Sequence, residues 1–125
     1  MMGISLYGLS SDAKAKIIRD NTAYGWHQVN ASMAFERDLE DSISLCSYST
    51  CIADFHSDGL LRVNINAFDC SRTTIQHFSK WLNRHNIASY TEVKALAKHA
   101  RDIMMHDGTE EVYQLSNGNS LEFIY

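Results

Sequence analysis

Ser71-Arg72-Thr73-Thr74-Ile75-Gln76-His77 gathers three hydroxyls, one guanidinium and one imidazole within seven residues. The stretch opens an amphipathic helix over Thr73 to Arg84 that carries Ile75, Phe78 and Leu82 on one face. Helical spacing sets Thr73, His77, Lys80, Trp81 and Arg84 on the opposite, partly exposed face. Such a face suits binding. Hydroxyls from Ser71, Thr73 and Thr74, with the free amides of the first turn, can cradle an anion. Trp81, Tyr48 and Arg72 are the expected anchors of a protein contact, because large aromatic and guanidinium groups carry most interface energy. A plainer alternative stays open: Ser71 or Asp69 is an N-cap, the threonines close the turn, and His77 satisfies a local hydrogen bond.

Other chemistries find less support. Cys46 and Cys51 are separated by four residues where a zinc knuckle has two, no His-x3-His pair lies near them, and Cys70 is remote, so no metal is expected. Cys51 or Cys70 with His77 and Asp54 or Asp69 would assemble a nucleophilic site on paper. No Gly-x-Ser-x-Gly elbow or glycine-rich oxyanion loop accompanies them, and strand cysteines usually fill cores. Asp38, Asp41, Glu110 and Glu111 sit in polar runs and read as solvated charge. No glycine repeat follows a strand, so no nucleotide loop and no cofactor are expected, and a non-enzymatic protein is preferred.

Net charge of −4 conceals segregation. Residues 34–58 carry six acids against Arg37 alone, whereas 69–101 carry Arg72, Lys80, Arg84, Lys94, Lys98 and Arg101 against Asp69 and Glu92. With Trp81 and Tyr90 nearby, that basic region supports nucleic-acid binding as an alternative function, although the chain is acidic overall. The chain of 125 residues, 45% hydrophobic, reads as a single globular domain. Three cysteines, an odd set, read as free thiols in a reducing cytoplasm, and no apolar run approaches a membrane span. The expectation is a cytoplasmic monomer or homodimer with no membrane partner.

The chain has no proline, so glycine, asparagine and serine must make its turns. Ile4 to Leu9 reads as a strand, and Ser10 caps a helix carrying Ala13, Ile17, Ile18 and Tyr24. Trp26 to Leu39 shows helical spacing through Trp26, Val29 and Met33, though its acidic end sits at the unfavourable pole of a helix dipole. Ile43 to Tyr48, Thr50 to His56 and Leu60 to Asn66 read as strands, the last two joined at Asp58-Gly59. Asn86 stops the Thr73 helix; Thr91 caps another that runs to Gly108 through Val93, Leu96, Ala97, Ala100, Ile103 and Met104. Glu111 to Leu115 and Ser120 to Tyr125 flank Asn117-Gly118, a hairpin signal. The expected class is α+β: an antiparallel sheet with helices packed on one face, in the order β-αα-βββ-αα-ββ.

Tyr48-x-Thr50, the Ala53 strand, a polar hairpin, Ser71-x-Thr73-Thr74-x-x-His77 and Trp81 together resemble an uncharacterised domain family of small phage and prophage proteins, over residues 47–86. Cys70 departs from it, standing where a bulkier residue such as tyrosine is expected. The family has no assigned reaction. The resemblance implies an accessory protein acting inside a bacterium, with Tyr48, Thr50, Ser71, Thr73, Thr74 and His77 as matching positions. The preferred expectation is a protein that binds and inhibits a host protein, a defence nuclease of the CRISPR type being the sharpest version. Its partner-binding residues would be Tyr48, Thr50, Arg72, Thr73, Thr74, His77, Lys80, Trp81 and Arg84. A nucleic-acid-binding accessory protein using helices 72–101 is the alternative, and a small Cys/His-dependent hydrolase the second.

Overall fold

The computed structural model describes residues 10–30, 32–69, 71–106 and 113–124; the expected strand at 4–9 and the Gly108 stop lie outside them. Ser10 caps helix α1, Ser11–Ala23, its hydroxyl accepting from the Ala13 amide at 3.1 Å. Then come strands β1, His27–Asn30, and β2, Ala34–Asp38, where helical spacing had implied a helix. Asn30 decides this locally. Its Oδ1 accepts from the Ser32 amide at 3.0 Å, the Ser32 hydroxyl at 2.8 Å and the Ala34 amide at 3.3 Å, and Met33 turns with φ of 75°. A side chain that engages its own backbone in this way offers the chain a turn in place of a helix. The acidic run at 36–41 therefore opposes no helix dipole.

Strands β3, Ser42–Ser47, and β4, Thr50–His56, meet at a turn through Tyr48 and Ser49, and β5, Leu60–Asn64, follows the Asp58-Gly59 turn. Gly59 has φ of 92°, and a Cβ there would stand 3.1 Å from the Asn119 Oδ1, so the turn requires glycine. A 3-10 helix, Ile65–Asp69, takes the end of the expected strand and leads to α2, Arg72–Arg84, and α3, Tyr90–His106. Ser71 caps α2, and Asn86, with φ of 57°, ends it in the left-handed region. Ser89, not Thr91, caps α3: its hydroxyl accepts from the Glu92 amide at 3.2 Å. The closing hairpin joins β6, Tyr113–Gln114, to β7, Ser120–Ile124, around Asn117-Gly118.

Among the described residues these seven strands form one sheet in the order β1-β2-β3-β4-β5-β7-β6, antiparallel except for the β5–β7 pair. The class is α+β. Leu45, Ala53, Leu61, Val63, Leu121 and Phe123 form the sheet side of the main core, which α2 and α3 cover with Phe78, Trp81, Leu82, Leu96 and Ala100. In β2 and β3 alternation sends Phe35 and Cys46 to the reverse face. There they pack with Trp26 and Met33 against Ile17 and Ile18 of α1. One helix thus covers the reverse face at the β1–β3 end, while the pair covers the other.

Candidate functional site

The site begins with how α2 is rotated. Thr74, His77, Phe78, Trp81 and Leu82 are its buried residues, a 3.6-periodic arc in which Ile75 is only half-buried. This corrects the expected exposure of the stripe. Trp81 is 0% exposed and His77 3%, whereas Arg72, Gln76, Lys80 and Asn83 make the outer side. The reason is that each polar tip on the inner side meets a partner on the sheet, which makes burial tolerable.

Two polar clusters form this inner seam. At the first, His77 Nδ1 lies 2.8 Å from the Ser47 hydroxyl of β3, and Nε2 lies 2.9 Å from Ser32 in the β1–β2 turn. Ser47 in turn meets the Thr74 hydroxyl at 3.3 Å, which meets Ser71 at 3.3 Å. Burial, with the nearby Lys80 charge, holds the His77 pKa below its ordinary value despite the Ser32 hydrogen bond. The ring is therefore neutral, with one donor and one acceptor nitrogen. Because Ser32 gives its proton to Asn30, its oxygen accepts from Nε2–H, and Ser47 donates to Nδ1. In that tautomer His77 takes no proton from Ser32, and neither ring nitrogen faces a thiol.

Glu36 of β2 anchors the second cluster. Its Oε1 accepts from Trp81 Nε1 at 2.8 Å, from Arg84 at 3.4 Å and from His85 Nε2, and its Oε2 lies 3.7 Å from His27 Nε2. Burial pushes this carboxyl upward, but the His85 hydrogen bond and charge, the Arg84 charge and the Trp81 N–H outweigh it, leaving the pKa below its ordinary value. A carboxylate so paired is an anchor for the end of α2. No group of three or more His, Cys, Asp or Glu among the described residues is arranged to hold a metal ion.

The outer surface differs in kind. A groove of about 380 Å³ is lined by Arg72, Ile75, Gln76, Ser79 and Lys80 of α2 and by Tyr90 at the start of α3. Tyr90 is 63% exposed, and Lys94 Nζ stands 5.0 Å from its ring centroid. From Tyr90 the exposed residues Lys94, Lys98, Arg101 and Met105 continue at intervals of four, four, three and four along one flank of α3. Among the described residues the ion pairs involve Lys16, His27, Arg62, Arg84 and His85 but none of Arg72, Lys80, Lys94, Lys98 and Arg101. Glu92 is turned away to Ser116, and Asp102 lies one residue round the helix from Arg101.

The expected site residues therefore divide. Arg72 and Lys80 share the groove; Thr74, His77, Trp81 and Arg84 belong to the inner seam, and Thr73 is half-buried beside it. Tyr48, with φ of 58°, packs on the α1 side, its carbonyl accepting from Asn21 Nδ2 at 2.7 Å, and Thr50 is exposed where β4 begins. Sequence reasoning missed Glu36, Ser32, Ser47 and His85 as partners. Glu36 lies 45 residues from Trp81, and Ser47 lies 30 from His77, so no local pattern links them. Tyr90 and Lys94 were visible as exposed helix residues but not as neighbours of the α2 groove.

No helix among the described residues is long and apolar enough to cross a membrane. No curated protein and no solved structure matches the chain. A family model does match, over residues 15–96, more than half of the chain and well beyond the 47–86 pattern. The match runs from within α1 to the first half of α3, so it spans both seam clusters, the α2 groove, Tyr90 and Lys94. It brings no phage or inhibitor assignment with it. The chain belongs to that family, described as a family of unknown function (DUF8033).

Proposed function

We propose that this is a non-enzymatic binding domain whose α2–α3 surface engages single-stranded nucleic acid. The observation that carries the reading is the set of five exposed cations without an ion pair among the described residues: Arg72 and Lys80 in the groove beside the exposed Tyr90, Lys94 against its ring, and Lys98 and Arg101 further along the same flank of α3. Exposed cations left unpaired are available to phosphates, and an aromatic ring with an open face accepts a base of any type. Lys94 on one face of Tyr90 adds to that platform. The inner seam has a different part: it fixes the rotation of α2 and so decides which side chains face outward.

The test is fluorescence anisotropy with a labelled single strand of about 12 nucleotides, within the usual footprint of such sites, and with a duplex of the same sequence. Single-strand binding that is lost in Lys94→Ala/Lys98→Ala/Arg101→Ala and weakened in Tyr90→Ala supports the reading. Arg84 is left intact, since it serves Glu36. Indifference of the triple variant, or a preference for the duplex, overturns it. An inhibitor of a host protein, the other reading, keeps Arg72 and Lys80 as contacts but loses Trp81 as an anchor. An acidic protein binding through the same cations, with no affinity for oligonucleotides, would favour it.

A further inference from the structure

We propose that Cys46 and Cys51 form a modification site: a dithiol that closes into a reversible cross-strand disulfide on reaction with a low-molecular-weight disulfide. The two residues are direct Cα partners in the β3–β4 ladder, on the turn side of a bulge at which the register shifts between Leu45 and Cys46. Ser47 and Thr50, the next pair outward, close the two-residue turn of Tyr48 and Ser49. Tyr48 has φ of 58°, the positive φ that a two-residue hairpin turn takes at its first central position. The pair that closes such a turn is hydrogen-bonded, so by alternation the Cys46/Cys51 pair is the non-hydrogen-bonded kind. Cα atoms in those pairs stand about 4.5 Å apart with side chains on the same face, inside the roughly 4.4–6.8 Å range that a disulfide spans.

The two thiols differ in access. Cys51 is exposed and Cys46 is buried with Trp26, Met33 and Phe35, its Sγ donating to the Tyr48 carbonyl at 3.4 Å. Burial, and after it the Cys51 thiol alongside, pushes the Cys46 pKa up to about 12. This orders the chemistry. The Cys51 thiolate attacks an external disulfide RS–SR, forming Cys51–S–S–R and releasing RS⁻. The Cys46 thiolate then attacks the Cys51 sulfur, forming the Cys46–Cys51 bond and releasing the second RS⁻. Two thiols have lost two protons and two electrons, and one RS–SR has been reduced to two RSH. Closure removes the Cys46 S–H that holds the Tyr48 carbonyl and encloses Ser47, whose hydroxyl supports His77.

The experiment treats the full chain with oxidised glutathione, quenches it by alkylation and digests it with trypsin. Cleavage after Arg37 and Arg62 gives a peptide of residues 38–62 that holds both cysteines and excludes Cys70. The expected product is this peptide lighter by two hydrogens and unalkylated, formed faster as the pH rises and the Cys46 thiolate fraction grows. In Cys51→Ser, a change at an exposed position, the ring is absent; in Cys46→Ser, the glutathione adduct on Cys51 persists. A wild-type protein that retains the adduct on Cys51 without closing, or that links either cysteine to Cys70, overturns the proposal.

Discussion

Glu36→Ala removes the acceptor on which the end of α2 depends. The Trp81 indole is wholly enclosed, so its N–H loses the Glu36 acceptor and cannot turn to water. A buried donor orphaned in this way costs about 1–3 kcal/mol. The ion pairs with Arg84 and His85 add less, because those side chains are 43% and 29% exposed and solvent screens them to about 0–1 kcal/mol each. Together the loss comes to about 1–5 kcal/mol, a large part of the roughly 5–15 kcal/mol that stabilises a typical domain. For a chain of this length that lowers the Tm by about 4–20 °C. Urea unfolding followed by circular dichroism measures it. The same assay on Trp81→Phe and on Glu36→Ala/Trp81→Phe completes a cycle: with donor and acceptor both removed the indole N–H is no longer orphaned, so the double variant costs less than the two single changes together. A Glu36→Ala loss under about 0.5 kcal/mol, as at an ordinary surface site, or a strictly additive cycle, would refute the reasoning and return Trp81 to the surface.

Binding of a single strand should weaken by about 100-fold between 50 and 200 mM salt if all five cations contact phosphates; anisotropy titrations that stay flat with salt would contradict this. Stability should fall in acid in two stages. His77 has a depressed folded pKa, so its contribution is complete above the ordinary 6.5 and is lost as pH falls below it, and Glu36 behaves likewise below 4.5. His77→Gln should therefore flatten the first stage of a urea-midpoint profile against pH and leave the second. Asn86 holds a φ of 57° at the end of α2, so Asn86→Ala should cost about 1–2 kcal/mol in thermal unfolding while Asn86→Gly is close to neutral.

Much of this fold was legible in the residues because the information was local. Ser10 and Ser71 mark helix starts, Asn86 a helix stop, and Asp58-Gly59 and Asn117-Gly118 hairpins, each through an interaction or a backbone angle spanning four residues or fewer. The α+β class follows from the alternation of β5 and the 3.6 period of α3. The failure at Trp26 to Leu39 was local too: apolar residues at 26, 29 and 33 happen to match a helix, and the Asn30 turn that splits them is a single side chain with three donors around it.

What the sequence determined by itself is the menu of elements and the pool of charges, including six cations within 69–101. Which face of α2 is buried was decided only by tertiary structure. Periodicity ranks side chains by their own polarity, so it turned His77 and Trp81 outward; the fold supplied Ser47, Ser32 and Glu36 from distant strands and made those polar tips cheap to bury. The same rotation took Arg84 into an ion pair and left Arg72 and Lys80 beside Tyr90, because a hydrogen-bond partner tens of residues away has no signature in the residues next to it.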